Sequence, residues 1–432
     1  MTQRTKLLLL ILFGLLFSIS LIAQEVQSFE VNGLKVIFKP NPSNDIVSAN
    51  MYFKGGVTNL TEKQAGLEAI TLDVSSKATK NYPKDKLNAA LERMNSQINS
   101  SSNDDYSNLS LLCVKQNFDE SWKIFADIIL NPLFNEEDLN LERDQLISAV
   151  KQVNDNPDAL LQKEVSHEFY VDHPYSIEVN GTEATLSSFT TDDLKAYHSG
   201  MLETSRMLLV VVGNTTLSEL KSMVNDAFGS IKKGSYVVKM PPEVETSEPS
   251  LKVVYRELPT NYIQGTYSAP ERGTDEGYTM LIASSILRDR VFEEVRTKRS
   301  LSYAPAAFYR SSFSNYGAIY VTAVNPDTTI KVMINELQKM KDKPISRKEL
   351  TNKIRQFLTG YYMGNETNQS QANGLAFYEL AGIGYKQAAK FIANVNKVTA
   401  ADIQNAAQKY MKNLQFVLIG NPKELEVSSF MY

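Results

Sequence analysis

Histidine and cysteine are scarce in this chain. Among 432 residues there are three histidines, His167, His173 and His198, and one cysteine, Cys113. A single cysteine excludes an intrachain disulfide framework, a cysteine-rich zinc module and a thiol redox pair. Three histidines leave little material for an imidazole metal site. An excess of basic charge is also missing. The formal net charge is −4 and the pI lies near 5.7, so the electrostatic footprint of a nucleic-acid binder is absent. Beyond residues 7–22, no run is apolar long enough to span a membrane. No G-x-S-x-G, P-loop or G-x-G-x-x-G occurs. Residues 381–384 (AGIG) lack the lysine and flanking strand that phosphate binding needs, and read as a helix-ending turn.

What is present suits a folded protein of two or three domains. The chain is 43% hydrophobic and 22% charged, enough to bury a sizeable core. Residues 1–23 read as a secretory signal peptide. Arg4 and Lys6 form a basic head, residues 7–22 an apolar stretch, and Ala23 a small residue before polar Gln24-Glu25. The other reading is a retained membrane anchor. Export implies a periplasmic or cell-envelope location. Cys113 lies in the apolar run 109–114 and is expected as a buried thiol.

The rest of the chain resembles itself. Residues 188–214 and 397–421 each start with a threonine helix cap, read at Thr191 and Thr399. Each continues through an amphipathic helix into an apolar strand ending in Gly-Asn. Asp193-Leu194 matches Asp402-Ile403, and Gly213-Asn214 matches Gly420-Asn421. An earlier match sets residues 137–139 against 348–350. Near-constant offsets suggest duplication. Between the halves, residues 239–250 (KMPPEVETSEPS) read as an exposed, semi-rigid linker. The expected layout is therefore 24–238, a linker at 239–250, and 251–432. Periodicity predicts strands at 34–38, 47–53 and 108–114, and helices at 66–80, 86–96, 120–129 and 136–154. The second half repeats the mixture, with strands at 252–257, 264–268 and 318–323. Its helices are expected at 276–298, 330–340 and 347–360. The fold class is α+β, with mostly antiparallel sheets backed by helices.

Few residues carry a chemical signature. His167 and His173 are six apart, which puts them on different helix faces rather than on one metal-facing side. His173-Pro174-Tyr175 reads as a turn, and His198 as a helix-end histidine near a C-terminal dipole. Arg296 ends an expected long helix, and Tyr303 follows seven residues later at the start of an extended apolar stretch. An arginine fork and a phenol there can donate to a backbone carbonyl or an oxyanion. They can equally serve as a helix-end cation and a core aromatic.

The pattern R-T-K-x-x-L-x-Y at 296–303, followed by Gly317-Ala318-Ile319-Tyr320, resembles the second domain of the pitrilysin, insulysin and mitochondrial processing peptidase family. These are inverted-motif zinc metallopeptidases. His173-Pro174-Tyr175, Gly181-Thr182, residues 191–194 and the strand end at 210–214 resemble the family's first domain. The resemblance implies an α/β-roll in each half, and pairing with further halves around a peptide-binding chamber. Active members carry H-x-x-E-H on a first-domain helix. Aligned on Ala65-Gly66-Leu67, those positions hold Ala69, Leu72 and Asp73 here, and the later glutamate ligand falls on Ala149. One aspartate cannot supply a site that needs three protein ligands, and leucine cannot act as a general base. No zinc is therefore expected on this chain. The Arg/Tyr pair that binds the substrate backbone in active members falls on Arg296 and Tyr303.

Some bacterial members divide the work between an H-x-x-E-H subunit and a subunit with the Arg/Tyr pair only. The resemblance implies that this chain is the second kind. It would bind peptide or unfolded polypeptide and complete the site of a partner that holds the zinc. The alternatives are an inactive scaffold or peptide-binding protein of the same fold, or a different chemistry built on Glu68, Asp73 or the turn at Asn103-Asp104-Asp105. Acidic residues at such positions are expected to be solvated.

Overall fold

The computed structural model describes residues 25–422 and 425–432, and the signal-peptide reading falls outside them. The first half builds one sheet from β1 (Gln27–Val31), β2 (Leu34–Pro40), β3 (Ile46–Lys54), β4 (Gln97–Ser102), β5 (Tyr106–Val114) and β6 (Met207–Gly213). Its helices are α1 (Leu67–Ser75), α2 (Lys84–Met94), α3 (Phe118–Leu130), α4 (Glu136–Asp155), α5 (Pro157–Phe169), α6 (Glu183–Ser188), α7 (Thr191–Met201) and α8 (Leu217–Phe228). The second half builds a sheet from β7 (Ser250–Tyr255), β8 (Asn261–Ser268), β9 (Ala306–Tyr309), β10 (Tyr316–Ala323) and β11 (Gln415–Gly420). Its helices are α9 (Asp275–Val291), α10 (Pro326–Asp342), α11 (Arg347–Gly364), α12 (Asn368–Leu380), α13 (Phe391–Lys397) and α14 (Ala400–Tyr410).

The two sheets share one topology. The first runs β1-β2-β6-β3-β5-β4 and the second β7-β11-β8-β10-β9. Without β1, both pair the first strand parallel to the last, the last antiparallel to the second, and the remainder antiparallel. Sheets backed by helices are thus present in both halves, as the α+β reading required. The helix before each closing strand carries the same reciprocal cap. Thr190 caps α7 with Asp193, and Thr399 caps α14 with Asp402. The cap is Thr190, not Thr191, because only Thr190 stands three residues before the aspartate it exchanges hydrogen bonds with.

Strand character follows from patterning. β5 alternates inward Leu109, Leu111 and Cys113 with less buried residues, as a strand with one buried face should. β6 (MLLVVVG) is buried on both faces. Met207, Leu209 and Val211 join a core with Phe38, Trp122, Phe125 and Phe228. Leu208, Val210 and Val212 face the other way, onto α12 from the second half. The exchange is mutual. Leu160, Leu161 and Val165 of α5 cover Val417 and Ile419 of β11. Each half therefore lends a helix to the sheet of the other. Polar contacts hold both loans: Tyr52 donates to Asn373 at 2.7 Å, and Gln162 to Gln264 at 2.9 Å.

Candidate functional site

α1 begins abruptly because its cap, Gly66, sits at φ +84° against the backbone of Gly181. A Cβ there would come within 2.7 Å of the Gly181 Cα, so only glycine fits. The helix then packs on β4, α4 and α7. Leu67, Ile70 and Val74 join Phe134, Leu139, Leu186 and Leu194 in a small core, while Leu72 joins the core beneath the sheet.

At the expected zinc positions, Ala69 and Leu72 are buried apolar side chains. Asp73 is partly buried and accepts a hydrogen bond from Ser100 of β4. Burial raises its carboxyl, and the Ser100 donor opposes that. Nearby Glu142 of α4 raises it further, while Lys77 lowers it. Lys77 pairs with Glu142 at 3.0 Å. Ala149, two turns after Glu142, is exposed on the wall of a cavity of about 260 Å³ that also holds His167 and Glu178. Two carboxylates with a lysine at one of them do not form a zinc site. Among the described residues no three His, Cys, Asp or Glu side chains converge to hold a metal ion. Glu142 and Lys77 did not stand out in the sequence. The only signal was that Glu142 lies seven residues before Ala149, on the same helix face.

The other acidic candidates are structural. Glu68, beside Ala69, is buried and pairs with buried Arg206 at 2.5 Å. It also accepts from Tyr197 and Ser107. Asp104 and Asp105 lie between the halves. Asp104 pairs with Arg310, and Asp105 accepts from Tyr175 and from the Phe313 amide. The expectation of solvated acids is corrected: Glu68 and Asp105 are buried because each has charged or hydroxyl donors within the fold. The histidines are also accounted for. His167 meets Glu178 at 3.0 Å. His173 caps the turn at Pro174–Ser176 and bonds the Pro242 carbonyl. His198 bonds the Ile129 carbonyl near the end of α3, rather than serving the end of its own helix. Cys113 is buried, which pushes its thiol up to about 12.

Arg296 and Tyr303 do come together. The expected helix over 276–298 is α-helical only to Val291, then widens into a π-helical turn, Phe292–Thr297. Ser300 takes a left-handed conformation at φ +51° and turns the chain back. Arg296 Nη1 then donates to the Tyr303 carbonyl at 3.1 Å. Its guanidinium lies 5.3 Å from the Tyr303 ring and 4.9 Å from the Phe292 ring. Tyr303 is 84% exposed and is not a core aromatic. Its hydroxyl has no hydrogen-bond partner among the described residues. The arrangement is an exposed guanidinium held between two rings, beside a free phenol. Both groups can donate to a carbonyl that approaches from solvent.

Residues 35–183 match the insulinase family, peptidase family M16, and residues 188–357 match the peptidase M16 inactive domain. The chain belongs to peptidase family M16. Relatives extend along most of it. An uncharacterized zinc protease YmxG of Bacillus subtilis is 23% identical over 88% of this chain and 93% of its own. A non-peptidase homolog YmxG of Helicobacter pylori is 21% identical over 97% of this chain and 99% of its own. The crystal structure of a peptidase M16 inactive domain from Pseudomonas fluorescens superposes with a TM-score of 0.83 at 17% identity, covering 92% of this chain and 98% of that one. That likeness establishes the M16 two-half fold. Among the described residues no helix is long and apolar enough to cross a membrane.

Proposed function

We propose that this M16 chain is the non-zinc, substrate-binding subunit of an exported heterodimeric zinc metalloendopeptidase. The observation that carries the reading is a contrast between its two candidate sites. At the zinc positions the side chains are Ala69, Leu72, Asp73 and Ala149, which supply neither a ligand set nor a base. The Arg296/Tyr303 pair is exposed and held in place by the Arg296–Tyr303 carbonyl hydrogen bond, which leaves the other guanidinium donors and the Tyr303 phenol to meet a substrate. Donors fixed in advance stabilise developing charge without reorganising, and they can do so for a carbonyl polarised by another chain's metal. The partner would be an M16 subunit with an intact H-x-x-E-H motif. It would hold the zinc and the general base, while this chain orients the peptide backbone. The basic and apolar character of residues 1–23 supports export of the complex to the periplasm or cell envelope.

Mixing this chain with an H-x-x-E-H partner tests the proposal. The expected result is zinc-dependent peptidase activity that neither chain shows alone, with one zinc per heterodimer. A stable homodimer that pairs with no such partner would favour the alternative, an inactive scaffold or peptide-binding protein.

A further inference from the structure

A second concave site lies along the same helix as Arg296. Ser285, Arg288, Phe292 and Arg296 follow at spacings of three and four, so they form one stripe of α9 and its π turn. At the Ser285–Arg288 end, the stripe borders a cavity of about 430 Å³ between α9, β9, α11 and α13. That volume lies in the roughly 300–1,000 Å³ range of small-ligand pockets.

The lining is specific. Phe357, Tyr361 and Phe391 give it apolar walls, with Tyr361 stacked on Phe391 at 4.2 Å. Arg272 and Arg288 supply positive charge, and no carboxylate lines the cavity. Arg272 is held in place by Phe377, 4.0 Å below its guanidinium, and by Ser311. Arg288 has only a distant contact, 3.7 Å to Asp289. Two arginines and no carboxylate on an aromatic-walled cavity suit an anionic ligand that carries a large apolar group.

We propose that this cavity is a subsite for a peptide carboxylate flanked by a large apolar side chain. The inference rests on the reading of this chain as a peptide-binding half, and it adds a substrate class. Eight residues separate Arg288 from Arg296, about 12 Å at the α-helical rise and somewhat less through the π turn. Three or four extended residues, at about 3.3 Å each, span that distance. The favoured peptide therefore carries its apolar residue and carboxylate three or four positions from the backbone carbonyl held at Arg296. The carboxylate is either the chain terminus or an internal acidic side chain.

Fluorescence anisotropy on the purified chain, without a partner, tests the subsite. The probes are fluorescein-labelled octapeptides: one ending in Leu-Phe with a free carboxylate, its C-terminal amide, and an amidated peptide with an internal Asp-Phe. The free acid or the internal-acid peptide should bind at least tenfold more tightly than the simple amide, and which one does so identifies the carboxylate. Gly360→Leu should weaken that binding tenfold or more by filling the cavity. A Cβ at Gly360 meets nothing within 4 Å, so the substitution starts without a clash. Arg288→Gln, at an exposed position, should weaken it similarly. Equal binding of all three peptides, or binding unchanged by Gly360→Leu, overturns the subsite. Peptide binding that persists while no partner yields activity overturns the heterodimer reading and leaves the subsite standing.

Discussion

At the residue scale, α1, where the family resemblance puts the zinc motif, is an ordinary packing element. Its one buried ion pair, Glu68 with Arg206, sits immediately beside Ala69. Removing one partner of such a pair leaves an unpaired buried charge. Arg206→Met should therefore destabilise the chain by about 3–5 kcal/mol, and adding Glu68→Leu should recover much of that loss. Urea denaturation of the single and double variants checks it; additive losses would contradict it. That residues 69, 72, 73 and 149 are Ala, Leu, Asp and Ala is plain from the sequence, because an absent histidine is visible without coordinates. The burial of Glu68 could not. Nothing in LEAITLDV distinguishes an acid facing solvent from one facing an arginine that lies 138 residues away. Arg296 and Tyr303 were legible as a pair, but their stacking was not, since it depends on a π turn and on Ser300 at positive φ.

At the element scale, the duplication is written most clearly in the caps. Thr190 with Asp193 and Thr399 with Asp402 make the same two reciprocal hydrogen bonds at the same spacing. Each satisfies helix-end donors that would otherwise go unpaired. Thr190→Ala and Thr399→Ala should each cost about 1 kcal/mol, read as a fall in denaturant midpoint. Effects that differ severalfold would argue that the two caps have diverged. Strongly patterned elements such as β5, β6 and α4 were legible from periodicity. β4 (QINSSS) was not, because a polar edge strand carries no apolar alternation. Its residue Ser100 nevertheless holds Asp73. α5 and α12 were also missed. Each packs on the other half's sheet, so its apolar residues answer to a surface remote in sequence.

At the scale of the whole molecule, the halves are joined by the exchanged helices and by a polar cluster at Asp104, Asp105, Tyr175 and Arg310. Burial raises the Asp105 carboxyl to about 6, opposed chiefly by the Tyr175 hydrogen bond, while neighbouring Asp104 raises it further. Its folded value thus lies above its unfolded one, so the folded chain takes up a proton first as pH falls. This group should therefore add stability as pH drops from about 7 towards 4, and Asp105→Asn should flatten that part of the profile. Melting temperatures across that range check it. A wild-type profile indistinguishable from that of Asp105→Asn would contradict it. We propose that this chain donates Arg296 and Tyr303 to a zinc site on another chain. The most direct test is kcat of the reconstituted heterodimer carrying Arg296→Ala or Tyr303→Phe, with assembly and zinc content verified. kcat should fall by about 100-fold or more for Arg296→Ala, with a clear loss for Tyr303→Phe. Full activity in both variants would contradict it.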